Sequence, residues 1–219
     1  MKKYYQLGVG AVLLFLLILN NTTPCNAQEK THTGFYLSMQ TGPAFGYING
    51  KGEYGDGNQD FSLRVSGTGF GLDFQIGGAI KENIILHGTI GFKTIFGPEI
   101  DYGTTHVKIS QDYSFDELMI VGIGTTYYMQ KNFFLTGNLG IGQFSLSDES
   151  SNTTVDTGSG FSYQLKAGKE WWVSSRWALG AAIEYGGTYT KDTMSDYEER
   201  WQSHRYSVRF TATMNGRRN

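Results

Sequence analysis

The chain has 219 residues, with 18 Lys and Arg against 20 Asp and Glu and a formal net charge of −2 at pH 7. This balance excludes the strongly basic surface of a typical nucleic-acid-binding protein. Its single cysteine is Cys25, so the residues beyond it can form neither a disulfide nor a thiol active site.

The first 27 residues have the pattern of a secretory signal peptide. Lys2 and Lys3 give a basic start, residues 9–19 (VGAVLLFLLIL) form an apolar core, and small or modest side chains precede a cleavage site after Ala27. Removal of Lys2 and Lys3 leaves 16 basic against 20 acidic residues, a net charge of −4. We therefore expect a signal peptide, 1–27, followed by a single domain, 28–219.

Two other interpretations of the N-terminus stay open. An uncleaved membrane anchor would need a longer apolar run than residues 9–19 provide. Lipidation of Cys25 would need a preceding Leu and a small residue, whereas the residues before it are Thr22-Thr23-Pro24. Neither alternative changes the interpretation of the mature chain.

Beyond the signal segment, apolar residues alternate with Gly, Thr, Ser, Asn and occasional charged residues in eight stretches. A period of two indicates β-strands, and these stretches are longer than the ~5–6 residues usual in soluble proteins. Strands of ten or so residues with one apolar side are typical of bilayer-spanning barrels. The predicted strands are residues 34–46, 66–80, 84–96, 118–129, 133–144, 160–171, 177–189 and 205–215.

The second and fourth stretches illustrate the two faces. In the second, Phe70, Leu72, Phe74 and Ile76 are predicted to face outward and Gly71, Asp73, Gln75 and Gly77 inward. In the fourth, the predicted outward set is Met119, Val121, Ile123, Thr125 and Tyr127.

Connections between these strands alternate in length. Short turns are predicted at residues 81–83, 130–132 and 173–176, and long polar loops at 47–64, 97–114, 145–159 and 190–204. Outer-membrane barrels place short turns in the periplasm and long loops outside the cell, and an even strand count returns both termini to the periplasm. The predicted fold is therefore all-β: an eight-stranded antiparallel up-and-down transmembrane β-barrel with a polar, plugged interior.

Aromatic residues cluster near the predicted strand ends, where two interfacial girdles are expected because amphipathic rings prefer headgroup depth. The alternative is that they are ordinary core residues. Those near the short turns are Tyr127, Tyr128, Phe133, Phe134, Trp171, Trp172 and Trp177, and those near the long loops are Phe45, Tyr47, Phe96, Tyr185, Tyr189 and Tyr206.

Taken together, the signal segment, the repeat Gly137-Asn138-Leu139-Gly140-Ile141-Gly142 and turns such as Gln130-Lys131-Asn132 resemble bacterial eight-stranded outer-membrane barrels. The resemblance is to OmpA- and OmpX-like barrels, and in particular to the porin-like outer-membrane β-barrel family of Bacteroidetes. It implies a bacterial cell outer membrane, with outer-membrane lipid and lipopolysaccharide as the surroundings. One departure is the C-terminus, Asn215–Asn219, which lacks the terminal aromatic residue common in such barrels. Either Phe210 with Met214 serves as a degenerate assembly signal, or recognition of this chain is looser.

Charged residues of inward parity are the candidate site. Side chains fill the interior of an eight-stranded barrel, and charges there should pair because an unpaired buried charge is costly. We expect a structural plug of salt bridges, with a narrow gated pore for small solutes as the alternative. Pairing the sixth and seventh predicted strands places Glu184 opposite Gln164 and diagonal to Lys166. The predicted lumen charge cluster is Asp73, Lys93, Lys166, Glu170, Glu184, Arg205 and Arg209.

A barrel enzyme acting on outer-leaflet lipid is a second hypothesis, since such enzymes pair a Ser with an oriented His. His204 adjoins Ser203, but neighbours on a strand point to opposite faces. His32, His87 and His106 stand apart from any such pair. Without metal-ligand spacing or a nucleophile motif, we expect no catalytic residue, no metal and no cofactor.

Two further hypotheses concern binding. The predicted loops carry aromatic and charged residues that are typical of recognition surfaces, among them Tyr54, Asp56, Asp60 and Phe61 in the first loop and Tyr197, Glu198, Glu199, Arg200 and Trp201 in the fourth. A secreted lipocalin-like calyx would instead turn the apolar parity inward, and its outer face would then carry too few charges for a soluble surface. The favoured function is a structural or surface-interaction role without catalysis.

Overall fold

The computed structural model describes residues 31–55, 59–148, 151–194 and 197–216, and the predicted signal peptide lies outside these residues. The described residues form eleven β-strands and one short 3-10 turn. No helix among them is long and apolar enough to cross a membrane. The strands are β1 (Phe35–Tyr54), β2 (Gln59–Lys81), β3 (Ile84–Phe96), β4 (Glu99–Tyr102), β5 (Thr105–Lys108), β6 (Tyr113–Tyr128), β7 (Phe133–Asp148), β8 (Thr153–Asp156), β9 (Gly160–Trp172), β10 (Trp177–Met194) and β11 (Tyr197–Asn215).

Within the described part of the chain, eight strands close into an antiparallel barrel in the order β1-β2-β3-β6-β7-β9-β10-β11. The last strand pairs with the first along their full lengths, from Tyr36↔Asn215 to Tyr54↔Tyr197. The short strands β4 and β5 form a hairpin that pairs with β2, and β8 pairs with β7. The predicted fold class is confirmed.

The two faces of each strand differ as predicted. Apolar side chains of the outer face are about half exposed, for example Ile76 at 51% and Ile183 at 67%. Side chains of opposite parity, such as Asp73 and Gln75, are buried. This arrangement is the reverse of a calyx, whose apolar side chains would face inward.

The predicted long loops at residues 47–64, 97–114, 145–159 and 190–204 are wrong in most of their length. The barrel strands continue into these segments, and β4, β5 and β8 occupy part of the rest. β1 and β2, for example, stay paired from the barrel up to Glu53↔Gln59. The physical reason is that antiparallel pairing satisfies the backbone groups in water as well as in lipid, and it does not require an apolar face.

Met119 is the clearest error of parity. It was expected to face outward, but it is 2% exposed and lies inside the barrel. The register of β6 against both neighbours shifts between Met119 and Val121, so Ile120 is the extra residue of a β-bulge. A bulge exchanges the two faces of a strand beyond it, which returns Val121 and Ile123 to the outer face.

The interior has apolar layers at both ends, which the girdle prediction did not anticipate. Tyr128 and Phe134, expected at the interface, are buried inside the short-turn end together with Tyr36, Ile85 and Ala182. A second apolar layer, at the long-loop end, contains Ile48, Val65, Ile95, Phe115 and Phe144.

The short turns depend on residues that tolerate positive φ. Asn83 (φ 63°) ends the β2–β3 turn, and Lys131 and Asn132 (φ 60° each) form the β6–β7 turn. In the β9–β10 turn, the amides of Val173 and Ser174 both donate to the Trp177 carbonyl oxygen.

This β9–β10 turn sets a register two residues away from the predicted one. Glu184 pairs directly with Lys166, and Gln164 pairs with Gly186. The predicted pairing is wrong because it centres the turn on residue 174, whereas the observed pairs are centred on residue 175.

Candidate functional site

Five charged side chains meet in the middle of the barrel. We call Asp73, Lys93, Lys166, Glu184 and Arg209 the lumen network. On β1, the inward Gln40 contacts this network and lies between Tyr36 of the short-turn layer and Ile48 of the long-loop layer. The network therefore lies between the two apolar layers.

Lys166, on β9, connects the two carboxylates of the network. Its Nζ atom is 3.0 Å from Asp73 Oδ2 and 3.5 Å from Glu184 Oε2, and it donates to Gln40 Oε1 at 2.8 Å. The other oxygen of Asp73 accepts from Gln164 Nε2 at 3.2 Å. The ammonium group thus donates two hydrogen bonds and is also paired with Glu184, which offsets the cost of burial.

Arg209, on β11, connects the same carboxylates from the opposite side. Its Nε and Nη2 atoms donate to the two oxygens of Glu184 at 3.0 and 3.2 Å, and Nη2 lies 3.0 Å from Asp73 Oδ2. Lys93 Nζ, on β3, is 3.1 Å from Glu184 Oε1. Glu184 therefore contacts three cations, and the planar guanidinium fixes its orientation.

Glu170 and Arg205 are also buried, but they lie outside the lumen network. Glu170 accepts hydroxyl hydrogens from Tyr128, Thr211 and Thr213 at 3.0, 3.0 and 2.6 Å. Arg205 Nε lies 3.3 Å from Glu117 Oε2. Of the seven predicted charges, the structure brings five together and gives the other two separate partners.

Glu117 is the site residue that sequence reasoning missed. It is 2% exposed, it pairs with Arg205, and it accepts from Thr188 Oγ1 at 2.8 Å. Its parity matches that of Met119, which was placed outside, so the bulge at Ile120 concealed it. The imbalance of charge was the available clue. The seven predicted residues comprise four cations and three carboxylates, so one further buried carboxylate was to be expected.

With Glu117 included, the fully buried charges of the described strands are balanced. The four cations are Lys93, Lys166, Arg205 and Arg209, and the four carboxylates are Asp73, Glu117, Glu170 and Glu184. Equal numbers of buried cations and carboxylates suit a solid plug, since an ion-selective lumen would carry an excess of one sign.

The histidines do not converge on a reactive group. Ser203 is buried in the lumen, whereas His204 lies on the outer face, where its Nδ1 is 2.9 Å from the Tyr185 hydroxyl. His87 is buried beside Thr126, and His106 contacts Asp101 on the β4–β5 hairpin. Among the described residues, no group of His, Cys, Asp and Glu has the geometry of a metal site.

His32 closes the short-turn end. It precedes β1, is fully buried, and stacks on Tyr128 with ring centroids 3.4 Å apart. Its amide donates to Asn83 Oδ1 at 2.9 Å, and its Nε2 lies 3.0 Å from Asn132 Oδ1. Burial lowers the pKa of His32 below its ordinary value of 6.5, and its contact with Asn132 opposes this in part.

A closed antiparallel barrel with an apolar exterior and a charged, filled interior belongs to the class of transmembrane β-barrels. No protein-family model matches this sequence, and no curated protein matches it. Among solved structures, the outer-membrane protein OprG from Pseudomonas aeruginosa is 12% identical with a TM-score of 0.51, over 84% of this chain and 98% of that one. Neisserial surface protein A is 12% identical with a TM-score of 0.49, over 85% of this chain and all of the other. At such identities the likeness concerns the fold alone.

Proposed function

We propose that this protein is an integral outer-membrane barrel that does not conduct, and that it anchors extended β-hairpins at the bacterial surface. The observation that carries the proposal is the filled lumen, in which the lumen network lies between two apolar layers. Catalysis is no part of the proposed role.

The exterior supports insertion into a bilayer. On β1 the outward residues from Phe35 to Phe45 are apolar or small, and Lys51 and Glu53 follow beyond Tyr47. Transmembrane strands need about 9–11 residues, whereas β1 has 20 and β2 has 23. The strands are thus long enough to span the membrane and to continue into water on the long-loop side.

The orientation follows from the same asymmetry. Short turns at one end and long protruding hairpins at the other favour periplasmic termini and an extracellular hairpin end. The protruding hairpins expose large side chains, among them Tyr54, Tyr102 and Val155. Exposed aromatic and apolar side chains in water favour contact with a partner, so surface interaction is the proposed use of this end. The narrower resemblance to OmpA- and OmpX-like barrels of Bacteroidetes is part of the same proposal.

Single-channel recording in planar bilayers tests the proposal directly. The refolded mature chain is expected to give no steady open events, while its gel mobility changes on heating as it does for inserted barrels. Sustained conductance from heat-modifiable protein would overturn the closed-plug function in favour of a pore. A chain that never becomes heat-modifiable in lipid would overturn membrane insertion itself.

A further inference from the structure

The outer face of the barrel carries an apolar groove of about 730 Å³ across β7, β9, β10, β11 and β1. It forms because small residues alternate with large ones in the register: Leu135 pairs with Ala167, and Gly137 pairs with Leu165. Ile183 and Val208 line the groove on β10 and β11. A depression of this kind on a membrane-facing surface fits a hydrocarbon chain that crosses the strands.

The upper end of the groove is polar. Tyr185, which lines it, accepts a hydrogen bond from the Tyr163 hydroxyl at 3.3 Å and contacts His204 Nδ1 at 2.9 Å. The His204 ring is 5.2 Å from that of Tyr47, and the guanidinium carbon of Arg64 lies 4.5 Å above the Tyr47 ring. This row marks the level at which the apolar exterior gives way to polar residues.

A second cavity, of about 630 Å³, lies above this row; it shares β1, β10 and β11 with the groove and extends onto β2 and β4. Three cations line it, Lys51, Arg64 and Arg200, against one carboxylate, Asp101. On β1 the cavity begins at Asn49, four residues beyond Phe45 at the top of the groove, or roughly 13 Å at the usual rise of a strand.

The cations of this cavity are unequally neutralised. Arg200 contacts Glu198 and lies 3.9 Å from Glu53. Arg64 donates to the neutral Asn49 Oδ1 at 3.0 Å and covers a Tyr ring. Lys51 is the direct cross-strand partner of Arg200, and like charges in that position repel each other. A bound anion between them would remove this repulsion.

We propose that this face binds one lipopolysaccharide molecule, with an acyl chain in the groove around Gly137 and phosphorylated sugar at Lys51 and Arg64. The inference rests on the membrane insertion proposed above. The cavity is much larger than a single phosphate needs and lies beyond the aromatic level, which favours a phosphorylated disaccharide over a glycerophospholipid head. Apolar groove and basic cavity then match the two halves of the ligand.

Native mass spectrometry of the refolded mature chain in detergent, titrated with short-sugar lipopolysaccharide, tests the proposal. A one-to-one complex is expected. Gly137→Leu should weaken it about tenfold, since a Cβ at this position meets its nearest neighbour, Leu165, at 3.8 Å and a larger side chain then occupies the groove. The double variant Arg64→Gln/Lys51→Gln should weaken binding about tenfold or more, because two charge-assisted contacts are lost.

Matched controls lie elsewhere on the barrel. Gly88→Leu places the same side chain on the outer face of β3, away from the groove, where a Cβ also has space. Lys81→Gln/Arg176→Gln removes one Lys and one Arg at the short-turn end. Both controls should bind like the original chain. Should Gly137→Leu fail to fold, Ala167→Leu fills the groove from β9.

Three results would overturn the site: equal loss in the control and test variants, equal binding of phosphatidylglycerol, or equal binding of dephosphorylated lipopolysaccharide. Each sample is checked for heat-modifiable gel mobility in lipid. A folded, inserted barrel that binds no lipopolysaccharide removes this inference and leaves the proposed function intact, whereas loss of insertion removes both.

Discussion

At the scale of single residues, Glu184 holds the lumen network together. It contacts Lys93, Lys166 and Arg209 within 3.5 Å, and its side chain is fully buried. If this carboxylate were neutralised, Lys166 and Arg209 would retain Asp73 as an acid partner, whereas Lys93 would lose its ion pair with Glu184. Burial makes such a loss far more costly than the same change at the surface.

Glu184→Gln should therefore lower the free energy of unfolding by about 3–5 kcal/mol. Urea titration of the barrel in lipid vesicles, followed by gel mobility, measures the change. The control is Glu198→Gln, a more exposed carboxylate paired with Lys191 and Arg200 on a protruding hairpin, for which no measurable shift is expected. An equal loss of unfolding free energy in the two variants would show that Glu184 stabilises the barrel no more than a surface carboxylate does.

His32 predicts a pH dependence of stability. Its pKa is lowered in the folded state by burial, so the unfolded chain binds the proton more readily. The stability that neutral His32 contributes is present above pH 6.5 and is lost as the pH falls through the lower folded pKa. His32→Gln should flatten this part of the profile, measured as the urea midpoint from pH 7.5 to 5. An unchanged slope in the variant would contradict the assignment.

At the scale of elements, the bulge in β6 decides what enters the lumen. If Ile120 took part in regular alternation instead of forming a bulge, counting back from the outward Val121 would turn Met119 and Glu117 toward lipid. No residue pattern indicates this bulge, because Met119, Ile120 and Val121 are all apolar and the period-two pattern runs through them unbroken. The inward and outward faces predicted for β6 are therefore correct from Val121 to the β6–β7 turn, and they are reversed for the residues before Ile120.

Cysteine labelling distinguishes the two parities. The chain beyond Cys25 contains no cysteine, so single replacements report without interference. Val121→Cys should react with a membrane-soluble maleimide in micelles, whereas Met119→Cys should stay unreacted until the barrel is denatured, since the exposures are 56% and 2%. Rapid labelling at Met119 with protection at Val121 would contradict the bulge.

The strand ends were less predictable than the strand cores. Within the apolar belt, one face contacts lipid and the other fills the lumen, so period two is strong, as from Phe70 to Ile76. Beyond Tyr47 on β1, both faces contain polar residues and the contrast disappears, although pairing continues. Sequence pattern reports the environment of side chains, and backbone pairing in water leaves little trace in it.

At the scale of the whole molecule, three successive layers close the lumen: the short-turn apolar layer, the lumen network and the long-loop apolar layer. Inward parity alone identified Asp73, Lys166 and Arg209 as lumen residues. Which charges meet depends on register across several strands, and the two-residue error in the β9–β10 turn was enough to misplace Glu184 against Lys166. The two apolar layers of the lumen could not be predicted from the sequence, because their aromatic residues are equally common at a membrane interface.

Removal of one layer should not open the barrel. Glu184→Ala/Arg209→Ala deletes a central ion pair, yet Phe115 and Phe144 still fill the long-loop end. Planar bilayer recordings of this double variant are expected to remain silent. Its combination with Phe144→Ala and Phe134→Ala should give measurable conductance, because the lumen network and both apolar layers are then weakened. Steady currents from the double variant alone would show that the apolar layer does not close the lumen.

The seam between β1 and β11 has a consequence for biogenesis. Strands from opposite ends of the described chain must pair before the barrel can close, because Tyr36 pairs with Asn215 and Tyr54 with Tyr197. Until β11 is in place, β1 and the last strand formed each have an edge of unpaired amides and carbonyls, which hydrocarbon cannot tolerate. Closure in a bilayer would therefore require β11, and both edges would have to stay covered until it is in place.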